Sequence, residues 1–348
     1  MSTPSYHAYV AYHSGRAIDL FAGFDDGALE HVEQYELSGM GLPLAVNPDG
    51  TRLYASTFNK LDEGELDCID SFLRNPSTGK LQNLGSTRTV GRLTHISVDK
   101  SGRFVLGASY FADLVVSHKI QPDGSLGEAE FSFPTGRNAH HIQTDPSNRY
   151  AFVPNLGSNQ VLQLKFDAGT GKFSYNDPPA VEQPIGAGCR HIAQHPNGTL
   201  MFLVNERDGS VVSFAFDAAQ GTLCELHRTS VLRDPIPRAW AAQIHVSPDG
   251  EYLFASERNT HVLTRWRIDP VTGAFSEKTT IDVARNPRCF DIDPSGRYLV
   301  LTGLEEDLIE VFYISIKNRE PKRLSKITSH REPSWVEILP AQNTNGDL

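Results

Sequence analysis

One phrase recurs six times in this chain, and its spacing constrains the fold more than any other feature. It reads Asn47-Pro-Asp-Gly-Thr-Arg-Leu-Tyr, Asp99-Lys-Ser-Gly-Arg-Phe-Val-Leu, Asp145-Pro-Ser-Asn-Arg-Tyr-Ala-Phe, His195-Pro-Asn-Gly-Thr-Leu-Met-Phe, Ser247-Pro-Asp-Gly-Glu-Tyr-Leu-Phe and Asp293-Pro-Ser-Gly-Arg-Tyr-Leu-Val. The turn residues are Gly50, Gly102, Asn148, Gly198, Gly250 and Gly296, separated by 52, 46, 50, 52 and 46 residues. A repeat of this length is the mark of a propeller or a stacked array. It also lets residues be compared by their place in the repeat.

Residues 188–217 show what one repeat contains. Arg190-His-Ile-Ala-Gln-His-Pro runs to a turn at Asn197-Gly198, and Leu200-Met-Phe-Leu-Val-Asn follows as a more apolar strand. Asp208-Gly209 turns the chain again into Val211-Val-Ser-Phe-Ala-Phe-Asp, and Gln220-Gly-Thr-Leu leads to a fourth run. Asn-Gly and Asp-Gly between alternating runs are strong hairpin signals. Helical periodicity is missing almost everywhere. Four short antiparallel strands per repeat make a propeller blade.

Six phrases leave residues over at both ends of the 348-residue chain. Tyr9-Val-Ala-Tyr, Ala17-Ile-Asp-Leu-Phe and Asp26-Gly-Ala-Leu read like the later half of a blade, and Pro333-Ser-Trp-Val-Glu-Ile like an opening strand. The expected fold is therefore all-β: a seven-bladed β-propeller of four-stranded antiparallel blades. The N- and C-terminal segments share one blade, within one domain over residues 1–348. Such closure removes two open sheet edges. An open solenoid is the competing architecture, but solenoid repeats are usually shorter.

A formal net charge of −10 opposes nucleic acid and anionic membrane surface as partners. Cys68, Cys189, Cys224 and Cys289 are scattered and form no C-x-x-C pair, which reads as reduced thiols. With neither a signal-peptide pattern nor an apolar run long enough to span a bilayer, the expected location is the cytoplasm.

The repeat aligns the chemistry. Eight residues before each turn residue stand Leu42, Thr94, His140, Arg190, Ala242 and Arg288; one place later stand Pro43, His95, His141, His191, Gln243 and Cys289. Eight residues after it stand Phe58, Tyr110, Leu156, Glu206, Arg258 and Leu304. These slots are the two ends of one hairpin, so in a closed propeller they form a ring at one mouth of the central channel. His140, Arg190, Glu206, Arg258 and Arg288 should converge there.

Arginine is costly to desolvate unless paired. Three arginines at one mouth of an acidic protein point to a small anion, a phosphate or carboxylate, held by bidentate contacts. The competing reading is that Arg190 and Glu206 bridge neighbouring blades. His140 has an ordinary pKa suited to general-base work near neutral pH. Glu206 among arginines suits the orienting of water or of His140. The arginines can also stabilise an oxyanion as an ester carbonyl becomes tetrahedral. Tyr110, His95, His191 and Gln243 are further candidates to line a substrate; wall packing is the alternative for His95 and His191. His195 and His245 read as packing residues. Asn155 and Asn205 could offer oxygen ligands to a cation, but the arginines oppose one, so neither a metal nor a cofactor is expected. G-x-S-x-G and H-E-x-x-H are absent from the sequence.

At these residues the chain resembles the seven-bladed propeller lactonase family, which includes 6-phosphogluconolactonases of the propeller type and carboxy-muconate cyclases. The segments that carry the resemblance are Gly186-Ala-Gly-Cys-Arg-His-Ile-Ala-Gln-His-Pro, Leu203-Val-Asn-Glu-Arg-Asp-Gly-Ser-Val, Trp240-Ala-Ala-Gln-Ile-His-Val-Ser-Pro-Asp-Gly, Asn286-Pro-Arg-Cys-Phe-Asp-Ile-Asp-Pro-Ser-Gly-Arg-Tyr and Pro333-Ser-Trp-Val-Glu-Ile. The resemblance implies catalytic roles for His140, Arg190, Glu206 and Arg288, with Arg258 beside them. It implies hydrolysis of an anionic sugar-acid lactone, 6-phosphogluconolactone foremost. The alternatives are an unphosphorylated lactone, an intramolecular lyase acting on a muconate, and a non-catalytic binding platform. The chain departs from the family pattern at Gln243, where an acidic residue is usual, at Cys189, where proline is usual, and at Asn138-Ala-His140-His141. The expected partner is a small anionic lactone, on a monomer or weak homo-oligomer.

Overall fold

The computed structural model describes residues 3–59, 67–314, 320–329 and 331–342, and of Leu42 only the backbone. Among them lie 28 strands in seven antiparallel sheets of four. The innermost strands are Met40–Val46, Leu93–Val98, Gln143–Thr144, Cys189–Gln194, Ala241–Val246, Pro287–Ile292 and Pro333–Pro340, opening blades one to seven in that order. Blade four is representative, with Leu200–Asn205, Ser210–Asp217 and Thr222–Ser230 following outwards.

The repeated phrase is the turn between the first two strands of a blade. Gly50, Gly102, Gly198, Gly250 and Gly296 have φ between 68° and 76°, and Asn148 has φ 60°. Only glycine takes this left-handed conformation freely, with asparagine the best substitute. The first residue of the phrase then ties down the turn. Asp145 is fully buried; its Oδ1 accepts the amides of Arg149 (3.0 Å) and Tyr150 (2.9 Å), and its Oδ2 accepts the amide (2.9 Å) and hydroxyl (2.5 Å) of Ser147. Asp99 repeats this with Arg103, Phe104 and Ser101.

Alternation along the strands supplies both faces of each blade. In Tyr150–Asn155, Ala151 and Val153 pack towards blade two, whereas Tyr150 and Phe152 pack towards blade four. Seven apolar clusters result, one in each seam between neighbouring blades. The core is a ring of seams rather than one central mass.

The seventh blade joins the two ends of the chain. Pro333–Pro340 is its inner strand and pairs antiparallel with Tyr6–Tyr12, from Tyr6 opposite Pro340 to Tyr12 opposite Pro333. The N-terminal segment supplies all three outer strands (Tyr6–Tyr12, Ala17–Gly23, Leu29–Glu36), more than the half blade its sequence suggested. Ser334 Oγ donates to the carbonyls of Ala11 (3.2 Å) and Gly41 (3.4 Å), linking the closing strand to blade one. On the other side the amide of Ile338 donates to Asp291 Oδ2 of blade six (2.8 Å). The acidic run Glu305-Glu306-Asp307 is a solvated turn, with Leu304–Glu306 as a short 3-10 helix.

Asp145→Ala leaves four donors of a buried turn without an acceptor and is expected to cost roughly 2–4 kcal/mol of stability. Asp49→Ala, at an exposed position of the blade-one phrase, should cost under about 1 kcal/mol. Urea melts of the two variants test this, and equal losses would contradict the role given to Asp145.

Candidate active site

The slots converge as the repeat requires. Glu206 Oε2 accepts two guanidinium groups, Arg190 through Nε (3.1 Å) and Arg258 through Nη2 (2.7 Å). Arg190 also donates through Nη1 to the Ala242 carbonyl of blade five (2.5 Å). Arg258 is held by Trp240, whose carbonyl accepts its Nε (2.9 Å) and whose ring lies 3.9 Å beneath the guanidinium carbon. Arg288 and Arg190 line one small recess of about 10 Å³ with Pro43, Thr94, Ser334 and Trp335. The His140 ring sits edge-on to Tyr110 at 5.9 Å and to His191 at 5.1 Å.

Blades three to six thus supply His140, Arg190, Glu206, Arg258 and Arg288 to one mouth. The Glu206–Arg258 ion pair and the Arg190–Ala242 hydrogen bond do bridge blades four and five, so the structural reading holds in part. It does not account for the charge. Two arginines share one carboxylate oxygen, and Arg288 has no hydrogen bond or ion pair among the described residues. The basin keeps an excess of positive charge that an anion can satisfy.

A β-bulge explains how successive residues both serve this site. The pairing register shifts between Cys189 and His191, between Leu93 and His95, and between Pro287 and Cys289. The residues skipped by the ladder are Arg190, Thr94 and Arg288. Blades one and five shift likewise, between Gly41 and Leu44 and between Ala241 and Ile244. On a regular strand neighbours point to opposite faces. Here Arg190 and His191 both reach blade five, one at the Ala242 carbonyl and the other at Gln243. Bulges that re-aim side chains are common beside active sites.

The second slot closes the channel beneath the arginines. His95 and His141 stack with ring centres 3.7 Å apart, and His191 lies 5.6 Å from His95 and 5.0 Å from His141. Trp335 approaches His95 at 5.8 Å. His191 Nδ1 donates to Gln243 Oε1 (2.5 Å), and Gln243 Nε2 donates to Cys289 Sγ (3.6 Å). The structure places His95, His191 and Gln243 in this floor rather than among the guanidinium groups. An amide at Gln243 suits the site, because it accepts from His191 and donates to Cys289, whereas a carboxylate could only accept.

Beyond the floor the channel widens to a cavity of about 490 Å³, lined by Lys100, Gln143, His195, His245 and Glu337 among others. This is the larger of the two spaces, but its walls carry no arginine, and the guanidinium cluster lies on the other side. His195 is a packing residue, as expected: its ring bonds the Gly250 carbonyl and the Asn197 amide. His245 also packs, edge-on against Phe290 with ring centres 5.3 Å apart, and it faces Asp291 at 3.8 Å where it borders this cavity. Asn155 and Asn205 donate their amides to Gly136 and to Ser210 and Gln183.

Burial corrects one expectation. The His140 imidazole titrates well below its ordinary value, first because burial disfavours its charge and then because Arg190, Arg288 and Arg258 repel it. His140 is neutral at physiological pH, and its Nδ1 has no partner among the described residues. Burial also draws Arg190 down to about 10, where it is still a cation at neutral pH. His95 is lowered to about 3, and His141 and His191 well below the ordinary range, in each case chiefly by burial.

Two mouth residues escape the slot analysis. Arg92 stands two places before the Thr94 slot; its guanidinium carbon lies 3.4 Å over the Phe58 ring. His13 lies in blade seven, which has no copy of the phrase, and its ring is 5.3 Å from Phe58. The two exposed aromatics at this mouth, Phe111 and Trp240, are each approached by an arginine, at 5.8 Å by Arg92 and 3.9 Å by Arg258. Phe111 also packs edge-on against Tyr110, with ring centres 5.1 Å apart.

Comparison with known proteins gives the family. The family model described as "Lactonase, 7-bladed beta-propeller" matches residues 6–338. A 6-phosphogluconolactonase of Serratia proteamaculans is 31% identical over 333 residues, covering 95% of this chain and 98% of the relative. One from Pectobacterium carotovorum is 30% identical over 339 residues, with the same coverage. Among solved structures, the periplasmic gluconolactonase PpgL of Pseudomonas aeruginosa superposes with a TM-score of 0.88 at 22% identity, covering 97% of this chain and 99% of its own.

Two outcomes follow from the charge distribution. Inorganic phosphate should raise the melting temperature of the wild-type chain, and Arg288→Ala should abolish that rise; an equal rise in both places the anion elsewhere. The second concerns pH. The folded floor histidines hold protons less tightly than the unfolded chain does, so their contribution is complete above the unfolded value near 6.5 and is lost as pH falls below it. Each contributes about 1.4 kcal/mol per pH unit. Asp291, raised to about 7, and Glu337 act in the opposite sense, losing their contribution as pH rises. The imidazoles outnumber these two carboxyls, so stability should fall between pH 7.5 and 5.5, and His141→Asn should flatten the fall. Calorimetry across that range is the check.

Proposed function

Because the chain belongs to the seven-bladed β-propeller lactonase family, we propose that its arginine-lined mouth hydrolyses the ester of an anionic sugar-acid lactone, with 6-phosphogluconolactone the preferred substrate. The observation that carries this reading is the bridged cluster in which Glu206 Oε2 binds both Arg190 and Arg258 beside the unpaired Arg288 and the neutral His140. The names of the relatives support the substrate class: two are 6-phosphogluconolactonases at 30% identity or more over nearly the whole chain.

The geometry suggests a division of labour. The lactone carbonyl faces the guanidinium groups, which are positioned before reaction and need little reorganisation to stabilise the tetrahedral oxyanion. Glu206 spends one oxygen on the two arginines; its Oε1 makes no hydrogen bond among the described residues and is available to orient water. His140, held neutral by burial and then by the same arginines, takes the proton of that water. The arriving anion and the forming oxyanion offset the positive field that otherwise disfavours an imidazolium. Ring opening then returns the proton to the leaving alkoxide and yields the free acid. The floor of His95, His141 and His191 supports His140 from behind. All four cysteines are free, Cys224 among them at the surface, which fits a reducing cytoplasm.

His140→Ala should lower kcat by roughly 100-fold, the usual contribution of a positioned base. The combined His140→Ala, Glu206→Gln variant should fall to the level set by binding alone. Full lactone hydrolysis by the double variant would falsify the assignment. A pH profile tests the protonation state independently. With an unphosphorylated lactone, whose charge does not change, kcat/KM should show no step between pH 6 and 7.5, because it reports the free enzyme and His140 is already neutral there. A step near 6.5 would put the base on a different group.

A further inference from the structure

The mouth has a second half that hydrolysis does not use. Blades three to six supply the reacting cluster, while blades seven, one and two supply His13, Phe58 and Arg92. Arg92 is half-buried and fixed by stacking on Phe58 at 3.4 Å, with Phe111 at 5.8 Å. Stacking holds the plane of a guanidinium but leaves its five N–H donors free, and Arg92 uses none of them in a hydrogen bond or ion pair among the described residues. The carboxylate that bears on it, Asp67, accepts the amide of Asn59 through Oδ1 (3.3 Å). His13 is pinned through its backbone, whose amide donates to the Glu332 carbonyl (2.9 Å), while its buried ring nitrogen Nδ1 has no partner among the described residues. His13 is lowered to about 4 by burial and then by the positive charges of Arg288 and Arg92, which puts all three groups in one electrostatic neighbourhood.

We propose that Arg92, with His13 and Arg288, forms the phosphate-binding part of the mouth and sets the preference for a phosphorylated lactone over its unphosphorylated counterpart. The inference rests on the lactonase reading above and deepens it. A phosphate monoester carries nearly two negative charges and several strong acceptor oxygens, so one cation does not satisfy it. Arg92 and Arg288 give two planar donor forks, and neutral His13 adds a donor without a counterion. Arg288 has a place in both halves, between the reacting carbonyl and the phosphate. Arg190 and Arg258 are already tied to Glu206, so the two free guanidinium groups are the ones left for the phosphate.

The test compares 6-phosphogluconolactone with gluconolactone on the wild-type chain and on Arg92→Gln. The ratio of the two kcat/KM values should fall by about 10- to 100-fold in the variant, mainly through KM for the phosphorylated substrate, the range expected for losing hydrogen bonds to a charged group. Inorganic phosphate should also inhibit gluconolactone hydrolysis less strongly in the variant. Arg92→Lys, which keeps the charge but loses the planar fork, should recover part of the ratio and serves in place of Arg92→Gln if the latter does not fold. An unchanged ratio in both variants overturns the role of Arg92. A wild-type chain that opens neither lactone overturns the lactonase reading itself, a different outcome from a lactonase whose preference ignores Arg92.

Discussion

Seven apolar seams hold this molecule together, and each needs two blades. No blade can bury both of its faces alone, so removing one blade exposes two seams at once. The seventh blade is where this constraint is most demanding, because its inner strand comes from the far end of the chain. Val336 and Ile338 fill the seam with blade six, and Tyr9, Ala11 and Leu20 fill the seam with blade one. Ser334 and the amide of Ile338 add polar links to each neighbour. Ring closure is therefore also what brings His13 and Trp335 to the channel.

Upon this ring the site is made by a local departure from regularity. The bulge at the start of five inner strands takes one residue, or in blades one and five two, out of the ladder and lets successive side chains serve one region. Arg190 goes to the ion-pair cluster and His191 to the floor; Arg288 goes to the recess and Cys289 to the end of the Gln243 contact. One irregularity, repeated round the ring, thus yields two stacked layers: an upper one of guanidinium groups and a lower one of imidazoles. Burial keeps the lower layer neutral, and the positive charge of Arg190 above it acts in the same direction.

The blade pattern was legible because it rests on local chemistry: a left-handed turn position admits glycine or asparagine, and strand alternation marks both faces. The shared blade was legible from leftover strands at the two ends, although its three-to-one division was not. The slots located Arg190, Glu206, Arg258, Arg288 and His140 because equivalent places in a closed ring must meet. His13 was missed because it holds the Glu206 place in blade seven, which has no phrase to count from, and Arg92 because it lies off the slots and a stacked arginine leaves no trace in spacing. The neutral state of His140 could not be read either, since it arises from burial and from charges distant in the chain. The bulge was equally hidden, because a residue skipped by the ladder looks like any other residue in a strand.

The floor of His95, His141, His191, Gln243 and Trp335 means that this propeller is a cup rather than a pipe. Whatever enters past Phe58 and Trp240 has to leave by the same door, so incoming lactone and outgoing acid compete for one threshold. A longer-lived product would then throttle the enzyme at its own entrance, whereas the cavity on the far side could be reshaped without obstructing that traffic.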